Sequence, residues 1–315
     1  MTPLPVLGLL LTLAAVALAT TAGWLMAGIG GWIIRRAHAL RAVTRATLLA
    51  QVRLMPLVLT LLIVPAQMIG FGRFEAGGPE SASPLLIGLA VLGAALLADA
   101  IISGMRSWHQ TRAIVAAWRQ SAAPLALPSW TRRAWTIRRR FPVVAVVGIL
   151  RPQLFVARQV TLGCTPRELE AIAAHESAHV DAWDNLLRLL FRLTPGAWMV
   201  ARIADPLERD WIVAAEESAD ERARLESGRV ELASALTKVA RMAAESEPEV
   251  LPVSALIPGG DLEHRVRRLL ESPGRSQGLP WGWIGFSLGV VLAVALQTTP
   301  VLFRLHETFE LLVRR

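Results

Sequence analysis

Tyrosine is absent from the 315-residue sequence, and cysteine occurs once, at Cys164. A single thiol excludes an intrachain disulfide framework and any metal cluster held by several thiolates, so metal ligands here must be His, Asp or Glu. Without a phenol, a developing oxyanion could be met only by a metal, a backbone N–H, a histidine or an arginine. Charge is missing from selected stretches too: there is none from Met1 to Ile34, and no acid among the arginines of residues 35 to 53 or between Met105 and Arg140.

What is abundant is apolar surface. The chain is 53% hydrophobic, above the usual share for a soluble domain. The excess lies in residues 3–34, 54–71, 84–104 and 281–303, each near or above the ~20 residues a spanning helix requires. The sequence therefore predicts four spans. The first lacks a positive n-region and is too long for an h-region, so it reads as a retained anchor rather than a cleaved signal peptide. Arg35, Arg36, Arg41, Arg45 and Arg53 stand without acids in the first loop, whereas residues 72–82 hold Arg73, Glu75 and Glu80. The arginine bias places the first loop and residues 105–280 in the cytoplasm and both termini outside, in a multi-pass plasma-membrane protein. The net charge of +8 is explained by arginines beside spans facing anionic headgroups; no nucleic-acid-binding motif accompanies them, and the lipid bilayer is the expected partner.

The intervening segment is long enough for a domain of its own. It opens on amphipathic residues Ile114 to Trp118 and a linker from Pro124 to Pro128. Two strands are predicted, over residues 141–149 and Gln153 to Val160. A helix then starts with Thr165 as N-cap, Pro166 at the first position and Glu168 three residues on, a capping box. It is expected to run to about Leu190. Further helices are expected over Leu207 to Glu226, Val230 to Ala244 and Asp261 to Glu271. Residues 186–200 are apolar enough to touch lipid yet interrupted by Arg188, Arg192 and Pro195-Gly196, so a buried helix end and a membrane-apposed surface both fit.

The chemistry concentrates at His175-Glu176-Ser177-Ala178-His179. Histidines four apart on a helix emerge from one face and can share one zinc ion, with Glu176 beside them as general base. A catalytic zinc requires a third protein ligand. Glu216, on a predicted helix with Asp220 one turn further, is the candidate and Glu217 its rival. Asp220 would accept the second ring N–H of a zinc histidine. A surface His pair and a solvated acidic face are the plain alternatives. With no tyrosine, His264 or Arg265 could stabilise the oxyanion, though an ordinary charged helix explains His264 as well. His38, His109 and His306 lie near span ends and read as interfacial, Cys164 reads as packing, and Asp99 as an intramembrane or interfacial acid. The strand over 141–149 could offer an edge to an extended substrate.

These residues resemble the BlaR/MecR-type antirepressor metallopeptidase family. His175-Glu176-x-x-His179 with Asp184-Asn185-Leu186 is similar to its extended motif, Glu216-x-x-x-Asp220-Glu221 to its downstream motif, and Gly148-Ile149-Leu150-Arg151-Pro152 to the strand pair before the helix. The resemblance implies an α+β integral membrane protein: a three-span domain over 1–104, a mainly helical zincin-like cytoplasmic domain over 105–280, a fourth span over 281–303 and an extracytoplasmic tail over 304–315. It implies zinc held by His175, His179 and Glu216, Glu176 as base, Asp220 in support, a bacterial-type cell membrane, and a protein substrate such as a transcriptional repressor or the chain itself. Two departures stand out: Ala219 replaces the cysteine many relatives carry, and no penicillin-binding domain follows the fourth span. Asp184, nine residues past His175, points away from the zinc face if the helix is continuous, and is expected to be structural. A housekeeping membrane protease of the HtpX or CAAX type, and a non-catalytic receptor or scaffold with a vestigial site, are the competing readings.

Overall fold

Apolar runs of this length can satisfy their backbone groups in lipid only as helices, and three such helices dominate the computed structural model, which describes residues 2–37, 40–75, 81–246, 262–270 and 298–313. They are α1 (Leu4–Arg36), α2 (Ala42–Phe74) and α3 (Pro84–Arg119), of 33, 33 and 36 residues, all long and apolar enough to cross a membrane. At ~1.5 Å per residue each is about 50 Å long, beyond the ~30 Å of a hydrocarbon core. Ser83 caps α3 by accepting from the Leu86 N–H at 3.1 Å, with Pro84 in the first turn. Small residues set how closely α1 meets its neighbours. A Cβ on Gly23 would fall 2.3 Å from Pro56 Cα, and one on Gly93 would fall 1.8 Å from the Leu13 carbonyl oxygen, so both crossings bring backbone against backbone.

The expected boundary at residue 104 falls inside α3. This helix continues to Arg119 as a stalk whose last turns carry Ile114, Val115 and Trp118 into the core of a four-stranded sheet. The amphipathic stretch is thus an extension of α3. The strands are β1 (Ala123–Pro124), β2 (Ala134–Ile137), β3 (Val144–Val147) and β4 (Gln153–Ala157), in the order β1-β2-β4-β3. β2 and β4 are parallel, with Ala134 opposite Leu154, and β3 is antiparallel to β4, with Val144 opposite Val156. Only β3 and β4 were expected; β1 lies in the supposed linker, and β2 sits between arginine runs. β4 ends at Ala157 rather than Val160 because the short helix α4 (Arg158–Gly163) begins there.

The helices that follow are α5 (Pro166–Asp181), α6 (Asp184–Arg192), α7 (Ala201–Ser227), α8 (Arg229–Ala244), α9 (Leu262–Leu270) and the terminal α10 (Thr299–Val313). The predicted capping box is present: Thr165 Oγ1 accepts from the Glu168 N–H at 3.3 Å, and Glu168 Oε2 accepts from the Thr165 N–H at 2.7 Å. The helix ends at Asp181, however, not near Leu190. The 186–200 stretch forms α6 and a turn that docks on α1 and α3: Trp24 Nε1 donates to the Pro195 carbonyl at 2.9 Å, and Gly196 lies against Thr20 and Leu96. Trp198 and Met199 beside it remain exposed. From that turn α7 descends next to α1 and α2, burying Leu207, Trp211 and Ala214 against Trp24, Ala27, Ile34 and Leu49. Residues 281–297 of the expected fourth span lie outside the described residues, and its supposed limit at residue 303 falls within α10.

Candidate metal centre

Two helices build the centre, and alanines let them approach. Ala171, Ala174 and Ala178 of α5 and Ala215, Ala219 and Ala223 of α7 are all buried, so Ala219 fills the position at which packing asks only for a small side chain. Helix α8 is tied to the start of α5 by Ser234 and by Lys238, the chain's only lysine, both donating to Glu168, at 2.5 and 2.7 Å. Burial opposes charge on Glu168, but these donors, the Thr165 N–H and the Lys238 ammonium outweigh it and hold the carboxyl at about 2.

Within this frame His175, His179 and Glu216 bring ligand atoms to within 4.8 Å of one another, all three side chains buried. The two Nε2 atoms are 3.2 Å apart, and Glu216 carboxylate oxygens lie 3.6 Å from His175 Nε2 and 3.9 Å from His179 Nε2. Glu216 Oε1 is shut off from solvent and has no hydrogen-bond donor in reach among the described residues. A buried carboxylate oxygen in that condition is costly unless a cation meets it, so the donor set fits a metal ion. Two imidazoles and one carboxylate, with the chain's lone thiol elsewhere, form a donor set that zinc and other divalent transition ions accept.

The other ring nitrogen of each histidine faces a carboxylate. Asp220 Oδ1 is 3.0 Å from His175 Nδ1, on the α7 side. Asp184 Oδ2 is 2.6 Å from His179 Nδ1. The tautomer that donates from Nδ1 to this carboxylate leaves the Nε2 lone pair facing inward. The placement of Asp184 overturns the expectation that it points away. Trp183, at φ 59°, takes the left-handed conformation and ends the α5 stretch, so the chain turns and α6 starts by presenting Asp184 to the ring. Such a φ is uncommon outside glycine. An Asp-Asn pair opening a new apolar run was the available signal, since these residues favour helix starts. Asn185, the chain's only asparagine, fixes the turn by donating from Nδ2 to the Val146 and Gly148 carbonyls, both at 3.1 Å.

Charge is strongly organised here. Asp220 and Glu216 outweigh the opposing effect of burial and raise the His175 imidazole to about 10: the pocket favours positive charge. Burial raises Glu176, with Glu216 adding to it and His175, His179 and Arg188 opposing. Asp220 is held well below the usual carboxylate range despite burial, by its hydrogen bonds from Arg265 and by the His175 ring 3.0 Å away. Arg265 comes from α9, bonding Asp220 through Nε and Nη2 at 2.7 and 2.8 Å and reaching Glu216 through Nη1 at 3.2 Å. Its guanidinium thus braces a candidate ligand and the partner of another. His264 is half exposed, 3.9 Å from Glu217. Glu217 itself faces Arg268 at 2.8 Å and Arg45 of α2 at 3.5 Å, away from the histidine pair; of the two rival ligands, the fold brings Glu216 to the centre.

A shallow cleft opens beside His179, lined by Gly148, Ile149, Trp183 and Leu186. Strand β3, which ends just before Gly148, is an edge of the sheet. In its antiparallel ladder the groups of Val144 and Val146 point outward, and Asn185 occupies the Val146 carbonyl. His38 lies outside the described residues, as do residues 76–80 with Glu80. Asp99 is part-buried in α3, 3.5 Å from Ser103 Oγ, and Cys164 is buried in the sheet core, where burial raises its thiol. No protein-family model matches this chain, and no curated protein is significantly similar to it.

Proposed function

We propose that the chain is a membrane-embedded zinc-dependent endopeptidase of BlaR/MecR type, acting on a cytoplasmic or membrane-proximal protein in regulated proteolysis. One observation carries the reading. His175, His179 and Glu216 converge, each histidine turned by its own carboxylate, with Glu176 buried on the same helix between them. Two surface histidines on an ordinary helix would have no reason to be sealed from solvent and oriented from both sides.

Zinc at this centre would polarise the scissile carbonyl and acidify water toward a pKa of ~7. The chain's residues do the rest. Asp184 and Asp220 keep the rings aligned and electron-rich. Glu176, its carboxyl pKa raised by burial, is suited to accept a proton from the attacking water and return it to the departing amine. Arg265 holds Asp220 and Glu216 in register. An extended substrate would have to approach along the β3 edge, near the Gly148 and Trp183 that border His179.

The experiment is to purify the full chain with its spans and compare wild type with Glu176→Gln. The variant is expected to retain zinc and to lose turnover by at least ~100-fold, the usual scale of a general base. Comparing protein termini in cells that express either form would then identify the substrate. A Glu176→Gln protein that still cleaves at the wild-type rate overturns the role given to Glu176.

A further inference from the structure

The far end of the bundle holds a second group of metal-ligating side chains. Helix α10 returns to the spans and docks on the C-terminal end of α2. Phe309 and Val313 bury against Leu7, Leu11 and Leu86, and Phe303 meets Phe74 edge-on at 5.4 Å. The approach is close at Gly70, where a Cβ would stand 3.2 Å from the Leu302 carbonyl oxygen and 3.7 Å from His306 Cβ. This docking carries His306 and Glu310, one turn apart on α10, onto Glu75 at the end of α2. Ligand atoms of the three lie within 4.8 Å of one another.

Two further observations separate this cluster from an exposed acidic patch. His306 is only 8% exposed although it is a titratable side chain on a helix whose other face is open. Glu75 Oε2 is closed to solvent and meets no hydrogen-bond donor among the described residues. The nearest cation on α10, Arg304, is turned outward to Glu307 at 3.2 Å, with 83% of its side chain exposed. Two carboxylates and an imidazole share the space, a donor set of the kind that divalent transition ions take. His306 Nε2 is 3.9 Å from Glu310 Oε1, a span one ion can bridge with small side-chain movement.

We propose that Glu75, His306 and Glu310 form a second divalent-metal site that staples the C-terminal helix to α2. One nitrogen and two carboxylates favour zinc or a similar transition ion over magnesium, which prefers an octahedron of oxygens and keeps its waters. The site is independent of the first. Along α2, Glu75 lies 30 residues from Arg45, which touches Glu217 beside the first centre, a separation of about 45 Å.

The test is zinc stoichiometry on the full-length protein in detergent, stripped of metal, reloaded with zinc and freed of excess by gel filtration. Wild type is expected to hold two ions per chain. His306→Ala and Glu75→Gln should each hold one, His175→Ala one, and the His175→Ala/His306→Ala pair none. Zinc should also raise the thermal midpoint of His175→Ala, and this gain should vanish once Glu75→Gln is added, a milder change that keeps the size and shape of the side chain. A His175→Ala protein that binds no zinc, or one that keeps its ion after Glu75→Gln and His306→Ala are added, overturns the second site. A wild type whose single ion is lost with His306→Ala but kept in His175→Ala would instead sink the first centre and leave this one standing.

Discussion

Replacing Asp184 is the sharpest probe of the first centre, because a straight helix and the observed break predict opposite results. If α5 ran on unbroken, residue 184 would face away and Asp184→Ala would leave metal affinity alone. In the structure Asp184 is buried and its Oδ2 is 2.6 Å from His179 Nδ1. Removing it leaves a buried N–H without an acceptor and frees the ring to rotate or change tautomer. Loss of such an orienting carboxylate costs about 10–100-fold in metal affinity, or roughly 1.4–2.7 kcal/mol. Asp184→Asn keeps an acceptor of the same shape but not its charge, and charge roughly doubles such a bond, so its loss should be under about tenfold. Zinc affinity is read by chelator competition on detergent-solubilised protein, with the thermal midpoint of the metal-free form measured alongside to expose any unfolding. An Asp184→Ala protein that is folded and binds zinc within about twofold of wild type, far from the range such carboxylates normally give, would falsify the assignment.

Three other outcomes follow from specific contacts. Arg265→Ala removes the cation from buried Asp220 and Glu216, and should destabilise the metal-free protein by about 3–5 kcal/mol; zinc would then raise the thermal midpoint more in the variant than in wild type, since the ion takes over the lost positive charge. Glu168, held at about 2 against an ordinary 4.5, adds stability that is complete above about pH 4.5 and fades as pH falls through 2; with partly exposed Lys238 screening the pair, roughly 2–3 kcal/mol is at stake. Glu168→Gln should therefore lower the thermal midpoint at pH 7 and converge with wild type near pH 2 in a pH series of melting scans. Gly93→Leu places side-chain atoms where the Leu13 backbone already stands, so the α1–α3 crossing must open; the variant should lose most of its folded yield in membranes, measured by fluorescence-detected gel filtration, whereas the same change at Gly88, with open space around it, should be tolerated.

How much of this was legible in the sequence depends on the range of the forces involved. Three of the long apolar helices were readable because unsatisfied backbone in lipid leaves an apolar run no other fold, and the start of α5 because Thr165, Pro166 and Glu168 satisfy its first N–H groups within four residues. The end of α5 was not readable in the same way. Ala182-Trp183-Asp184-Asn185 has no glycine to announce a left-handed residue, and local preference would carry the helix through it. The break is stabilised by partners far along the chain or across a turn: Asn185 on the carbonyls of Val146 and Gly148, and Asp184 on His179. Strand β2 was hidden likewise, since Ala134–Ile137 is flanked by arginines and becomes a strand through its parallel pairing with β4. The same division runs through the site. The His175–His179 spacing is a property of one helix and stands in the sequence, while the choice of Glu216 over Glu217 depends on which face of α7 meets α5. That face is set by Ala215, Ala219 and Ala223, and by the arginines of α2 and α9 that draw Glu217 the other way. A helix so held between α1, α2 and the histidines cannot shift along its axis without moving a candidate ligand: Leu207 and Trp211 pack on α1 and α2, and Glu216 follows on the same helix within about three turns.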